Sequence, residues 1–352
     1  MHVSVVVRSR DEAPRLRLTL ASLARQTVDC EVIVVNDGST DHTAAVLAEA
    51  EHDVELRVIS HAVPRGRAGA SNAGARAASG EVLLFLDGDT LAAPDMVERH
   101  ANLHAAGGFR IGRGERFHLR STRFLADPET AAPRPGEEGR LARMSAEERA
   151  RLAVTRREVL DDFATIVARA DRGVYPGVGP RLLQDIEVDA LRHHPDCSVL
   201  WAAACGSNLS VSREAFLRVG GFNEAIDINE HRELALRLCI DGAGMTFIEG
   251  ARDYHLTHRA GWRDPLLDTQ WEQVFYAAHP RLAVKLLSVF WASLAPQTNI
   301  PREARINSLP ELETAARGDN GIDYDAIRRL IGSLPELPPM REAASAAQRA
   351  VH

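Results

Sequence analysis

Apolar runs and polar breaks alternate through the first hundred residues of this chain. Val3 to Val7 is a short, largely β-branched run, followed by polar Arg8 to Glu12. Leu16, Leu18, Leu20 and Leu23 then recur with Arg15, Arg17 and Arg25 between them, so the order reads strand, loop, helix. Glu31 to Val35 is a second buried strand, closed by Asn36 to Asp41, and Thr43 to Ala50 has helical spacing. Leu56 to Ile59 makes a third strand. A glycine-spiced segment, Arg65 to Gly74, leads into a small-residue helix ending near Ala78. The run Val82 to Leu86 has the composition of a strand buried on both faces, and it stops abruptly at Asp87, Gly88 and Asp89. This alternation predicts an α/β fold, a Rossmann-like, mainly parallel sheet flanked by helices and joined by right-handed crossovers. The loops Arg8 to Glu12, Asn36 to Asp41 and Asp87 to Asp89 then converge on one sheet edge.

The pattern changes after residue 107. Between Asp127 and Arg157 the chain is rich in Arg, Glu, Ala and Pro, and PETAAPRPGEEGRL has the chemistry of a turn region. MSAEERARLAVTRREVLDDFATIVARA reads as a helix with Ser145 as N-cap and Glu148 completing a capping box. Residues 108–199 are therefore expected to form a solvated helical insertion, with a lid over the site as the functional alternative. Leu200 to Ala204 reads as an apolar strand leading to Gly206, Ser207 and Asn208, of which Asn208 suits fixing a loop. Ser212 starts a helix that stops at Gly220 and Gly221. In Asn229 to Leu238, Leu234, Ala235 and Leu238 share a helical face, while Glu230 and His231 occupy the first turn. MTFIEGARDY is strand-like and delivers His255. From Asp264 the pattern is helical, and WEQVFYAAHPRLAVKLLSVFWASLA is apolar enough to pack on the main domain, on a second subunit of a homodimer or on a membrane surface. MREAASAAQRAVH has the look of a loosely held tail. The expected segments are 1–107, 108–199, 200–263 and 264–352, the last a C-terminal helical extension.

At 352 residues the chain is long enough for one large domain with an appendage. A net charge of -7 disfavours a general nucleic-acid binder, so any phosphate must be bound locally. Cys30, Cys197, Cys205 and Cys239 are widely spaced in apolar surroundings, which reads as reduced core thiols and not as a zinc or disulfide framework. MHVSVVVRSRDE lacks the basic start and long apolar run of a signal peptide, and no stretch is long enough to span a membrane, so a cytoplasmic location is expected.

Two carboxylates at the carboxyl end of a strand, Asp87 and Asp89, occupy the place where open α/β sheets bind ligands. As hard oxygen donors they suit Mg²⁺ or Mn²⁺ held against phosphates. The same residues would also serve as a polar turn before a helix starting near Pro94.

The succession SVVVRSRDEAPRLRLTLASL, VIVVNDGSTD and GRAGASNAGARAASGEVLLFLDGDT, continued by GSNLSVSREAFLRVGGFNE, NEHRELALRL and DGAGMTFIEGARDYH, resembles the family 2 glycosyltransferases with the GT-A fold. It covers about residues 1–107 as a nucleotide-sugar-binding half and 200–260 as an acceptor half. The resemblance implies a nucleoside-diphosphate sugar donor, expected to be UDP-linked, with its base between the loop of Arg8, Ser9, Arg10 and Glu12 and the carboxylate of Asp37. It implies Asp87 and Asp89 on the metal, with Asp89 the direct ligand, His255 completing the coordination and His258 as a substitute. Gly88 would admit the ribose and phosphates, and Gly206 and Ser207 would touch the donor sugar. Trp262 and Arg263 follow closely, where an aromatic face suits either a sugar acceptor or core packing.

Two departures stand out. The family commonly has Pro and Asp where this chain has Arg8 and Asn36, and its Glu-Asp pair is here Glu230-His231. The Asp of that pair is taken as the base on the acceptor, so either Glu230 or His231 does that work, with Glu230 the expected base, or the chain has changed its stereochemical course or lost activity. The reaction expected is metal-assisted transfer with inversion to an acceptor nucleophile that the sequence does not identify. The alternatives are a sugar nucleotidyltransferase, against which RSRDEAPRLR lacks a glycine-rich triphosphate loop, and a nucleotide-sugar-binding protein without turnover.

Overall fold

The computed structural model describes residues 1–50, 55–172, 183–258, 264–295, 298–318, 320–331 and 337. The first elements follow the apolar pattern closely: β1 (Val3–Ser9), α1 (Ala13–Leu23), β2 (Glu31–Asn36), α2 (Thr43–Ala50), β3 (Leu56–Ser60), α3 (Gly66–Ala77) and β4 (Val82–Asp87). Pro14 opens α1, where its missing N–H costs nothing. Asp41 accepts from the Thr43 amide and hydroxyl, as a short polar side chain at a helix start does.

After β4 come β5 (Thr90–Ala92), α4 (Met96–Ala105) and β6 (Arg110–His118). Among the described residues the main sheet has nine strands. Its path runs β3, β2, β1, β4, Leu209–Ser212, β6, Gly244–His255 and β5, with the two-residue strand Asp171–Arg172 pairing on β6. β3, β2, β1 and β4 are mutually parallel, while Leu209–Ser212 runs antiparallel to both β4 and β6. The carboxyl ends of β1, β2 and β4 open on one edge, as the alternation requires.

Three expectations are corrected. Residues 110–118, placed in a helical insertion, form a strand of the main sheet. Their charges concealed this, because Arg113 and Glu115 are buried and Arg113 is paired with Glu187 of a distant helix at 2.7 Å. The long helix read from residue 144 to 170 is three short ones, Ala146–Leu152, Arg156–Asp161 and Phe163–Arg169. Ser145 and Glu148 do form the expected capping box, but Thr155 and Glu158 form a second one that restarts the helix. Leu200 to Ala204 is not a strand: Leu200–Ala203 is a 3₁₀ turn, and its carbonyls accept from buried guanidiniums, Ala202 from Arg232 and Ala203 from Arg113.

The C-terminal apolar region packs on the chain's own core. Trp271, Phe275, Tyr276 and Trp291 share one buried cluster with Phe85 and Trp201. No described helix is long and apolar enough to cross a membrane. The four cysteines are free, Cys197 buried and the others partly so. Trp262, Arg263 and the last residues, MREAASAAQRAVH, lie outside the described residues.

A buried polar network joins α4 to the sheet. His100 contacts Ser210 Oγ and Asn208 Oδ1 at 2.7 Å each, and His104 contacts the same hydroxyl at 2.9 Å. Burial, helped by His104, pushes His100 down to about 4, and burial with Arg110 pushes His104 to about 4. Both lie below the ordinary value of 6.5, so the unfolded chain takes up protons first as the pH falls. Stability is therefore full above about pH 6.5 and drains toward about pH 4. The melting temperature should fall across that window, and His100→Asn should flatten the decline. Parallel curves for wild type and variant would refute this account.

Candidate active site

The loop after β1 and the loop after β2 are laced together. The Asp11 amide donates to Ser39 Oγ at 3.0 Å, the Thr40 amide donates to Asp11 Oδ1 at 2.7 Å, and Asp41 Oδ2 accepts from the Ala13 amide at 3.0 Å. Asp37 is buried beneath them. Its Oδ1 contacts His61 Nδ1 at 2.7 Å and accepts from the Arg65 amide at 2.8 Å, while Oδ2 accepts from Gly66 at 2.9 Å. Asp37 thus holds the entry to α3, a task the sequence did not assign to it. A carboxylate has about four acceptor positions, so Oδ2 retains capacity for one more donor.

Arg8, at the end of β1, is the hub of the site. Its Nε donates to Asp87 Oδ1 at 2.8 Å, its Nη1 to Glu230 Oε1 at 2.8 Å and its Nη2 to the Gly206 carbonyl at 3.4 Å. Parallel pairing puts Arg8 directly beside Asp87 in the register of β1 and β4. Burial alone would lower the Arg8 pKa, but Asp87 and Glu230 raise it, so the guanidinium is firmly cationic. Burial alone would raise Glu230, yet Arg8 and then His231 hold it well below the usual carboxylate range. Glu230 is 1% exposed and its Oε2 has no hydrogen-bond partner among the described residues.

On the other side of Asp87 lies Arg116, its Nη2 at 3.7 Å from Asp87 Oδ2 and 2.8 Å from Asp253 Oδ2. Ser207 Oγ accepts from the Asp87 amide at 3.2 Å and donates to Asp253 at 3.4 Å. Arg116 and Asp253 were not singled out from sequence. Their signal is period two: Arg116 and His118, like Asp253 and His255, fall on one face of adjacent strands.

Asp89 lies apart from this network. His255 Nε2 is 3.1 Å and His258 Nε2 is 2.7 Å from Asp89 Oδ2. The ligand atoms of the three residues all lie within 4.8 Å of one another. Burial would raise the Asp89 pKa, but the two histidines hold it well below its ordinary value. Asp87, expected to share the metal, is instead engaged by two guanidiniums, and His258 joins the cluster with His255. Arg15 anchors the segment that follows His255, donating to the Leu256 carbonyl at 3.2 Å, and ties it to Leu125, whose carbonyl it reaches at 2.9 Å.

Gly88 packs against the Glu12 loop, not against open space. A Cβ there would lie 2.7 Å from Glu12 Oε1 and 2.8 Å from Ser9 Cβ. The Glu12 carboxyl is pushed well above its usual range by burial and by Asp89 and Asp87. That excess of acidic groups, with one carboxylate and two imidazoles converging, fits a divalent cation: imidazole is a borderline donor and carboxylate a hard one, a set that suits Mn²⁺. Arg10 is exposed, paired with Asp11 at 3.5 Å, and takes no part in the network.

The model of the family described as glycosyl transferase family 2 matches residues 4–145. Over 350 residues the chain is 28% identical to the validoxylamine A glucosyltransferase of Streptomyces hygroscopicus subsp. jinggangensis, covering 96% of this chain and 73% of that protein. Among solved structures, S. aureus TarS 1-349 in complex with UDP-GlcNAc superposes with a TM-score of 0.51 at 13% identity, covering 95% of this chain and 82% of the other. The mannosyltransferase PcManGT from Pyrobaculum calidifontis, in complex with GDP-Man and Mn2+, gives 0.50 at 16% identity over 99% of this chain and 80% of its own. These two likenesses establish the fold. Residues 4–145 thus carry a glycosyl transferase family 2 domain on a GT-A sheet, and the chain as a whole is similar to a named glycosyltransferase.

Proposed function

We propose that this glycosyltransferase moves a sugar from a nucleoside-diphosphate donor, UDP-linked, to an acceptor hydroxyl, with a divalent metal and with inversion. What carries the reading is that one guanidinium, Arg8, links the β4 carboxylate Asp87 to the first-turn carboxylate Glu230, beside the Asp89, His255 and His258 cluster. Donor-side and acceptor-side groups therefore share one edge. The name of the full-length relative, a glucosyltransferase, supports glucose as the sugar moved.

Asp89, His255 and His258 would hold the metal, which supplies Lewis-acid neutralisation of the charge on the departing diphosphate. The Ser9 to Glu12 loop and the free capacity of Asp37 Oδ2 would receive the base, with Asp37 accepting from a ring N–H. Gly206 and Ser207 border the sugar. Asp87, fixed between Arg8 and Arg116, is placed to accept from ribose hydroxyls, and the two guanidiniums offer positive charge to phosphate oxygens. Glu230 Oε2 takes the acceptor's proton as its oxygen bonds to the anomeric carbon; the bond from that carbon to the diphosphate breaks, and its electron pair leaves with the diphosphate. Attack from the face opposite the diphosphate inverts the centre.

Thermal melting against a panel of nucleotide sugars, with and without Mn²⁺, tests the reading. A UDP-sugar should raise the melting temperature, and more so with the metal present, because a ligand bound only by the native state stabilises it by mass action. No shift with any nucleotide sugar, or pyrophosphate release from UTP and a sugar phosphate, would overturn it.

A further inference from the structure

His231 stands where the family places its acidic base, so its protonation pattern decides what it can do. Its Nε2 lies 2.8 Å from Arg232 Nη1. A guanidinium has donors only, so a contact at that distance requires a lone pair on Nε2. The ring proton of neutral His231 must then sit on Nδ1. Burial, with Arg232 close by, pushes His231 down to about 4, so the ring is neutral near pH 7.

Arg232 cannot readily turn away. Its Nε donates to the Ala202 carbonyl at 2.8 Å, its Nη1 also to Asn229 Oδ1 at 2.8 Å, and its Nη2 to Glu187 Oε1 at 3.0 Å. Its guanidinium lies 5.0 Å from the Trp291 ring centroid, and Glu187 is itself pinned by Arg113. Asn229 completes the clamp from a left-handed backbone conformation, φ 68°, at the helix start.

His231 Nδ1 and Glu230 Oε2 are both buried without hydrogen-bond partners among the described residues, and they are 3.7 Å apart. His231 Nδ1 also borders Gly206, where a Cβ would come within 3.2 Å of it. One donor and one acceptor at this spacing match a hydroxyl group, which donates once and accepts as well.

We propose that Arg232 locks His231 as the Nδ1–H tautomer, so that His231 is not the base but a donor which, with Glu230 Oε2, holds the attacking hydroxyl of the acceptor. This rests on the glycosyl-transfer reading of the site. The hydroxyl proton points to Glu230, one lone pair accepts from His231 Nδ1–H, and the second lone pair remains free to attack carbon. The proton ends on Glu230 and none passes to His231. Arg232 is a positioning residue, acting only through His231.

Nitrogen NMR of the histidine-labelled full-length protein reads the tautomer directly, with no donor or acceptor added. His231, assigned by the signal lost in His231→Asn, should show a bare Nε2 and a protonated Nδ1, and Arg232→Met should shift it toward the Nε2–H form. Protonation on Nε2 in the wild type overturns the inference and leaves the glycosyl-transfer reading standing. Kinetics supply the second arm. Asn carries an N–H donor close to the Nδ1 position but cannot act as a base, so His231→Asn should keep turnover within about tenfold of wild type, whereas His231→Leu should raise the acceptor KM by roughly tenfold, the loss of one neutral hydrogen bond. A loss in His231→Asn as deep as that in Glu230→Gln overturns the proposal. A nucleotide-sugar panel without response fails the glycosyl-transfer reading alone, and the spectrum still scores the tautomer.

Discussion

Glu230→Gln lowers kcat/KM by about 10²- to 10⁴-fold, the usual contribution of a positioned general base. The substitution keeps the shape of the side chain and leaves an amide that cannot take a proton. Melting should change little by comparison if the loss is catalytic, and donor binding, read by calorimetry, should persist. Burial works against the charged form, but Arg8 at 2.8 Å overcomes it and holds Glu230 well below the usual range, which keeps the carboxylate free of its own proton while weakening it as a base. The carboxylate therefore stays ionised from neutral pH into mild acid. The acid limb of kcat/KM, where Glu230 governs it, falls below the ordinary carboxylate range. Full turnover in the Gln variant would remove Glu230 from the chemistry.

The second large effect belongs to the cluster at the end of β4. Asp89→Asn removes its one carboxylate, which is 7% exposed and held ionised by His255 and His258. Lewis-acid help at the leaving group is worth several kcal/mol, and each ~1.4 kcal/mol is a factor of ten in rate, so turnover should fall roughly a thousandfold. Mn²⁺ binding, followed by electron paramagnetic resonance without any nucleotide, should be lost in the same variant. His258→Ala should weaken Mn²⁺ binding by about tenfold or more, since it withdraws one of the cluster's two imidazoles. Mg²⁺ prefers oxygen ligands and should bind more weakly than Mn²⁺ to the wild type. Unaltered Mn²⁺ binding in Asp89→Asn would place the ion elsewhere.

The donor half was legible because its signals are local. Buried parallel strands such as Val82–Asp87 are continuous apolar runs, the helices between them carry a 3.6 period, and the polar loops at the strand ends have to meet on one edge. The resemblance located Asp89, His255, Glu230 and His231 by order along the chain. What it could not supply was partnership. Arg113, Glu115, Arg116 and His118 made residues 110–118 look unlike a sheet strand, because a charge is tolerated in a core only when its counter-charge comes from far away in sequence.

The sequence by itself determined the order of elements, the sheet edge on which the site lies, and the residue types that reach it. Only the tertiary structure decided which residues pair there: Arg8 bridging Asp87 and Glu230 across 79 and 222 residues of chain, His258 joining Asp89, and Arg232 held by Ala202, Asn229 and Glu187 so that it faces His231. Periodicity reports which face of an element is buried. Hydrogen bonds and ion pairs depend on distances of about 3 Å between side chains, and those are set by how separate elements pack.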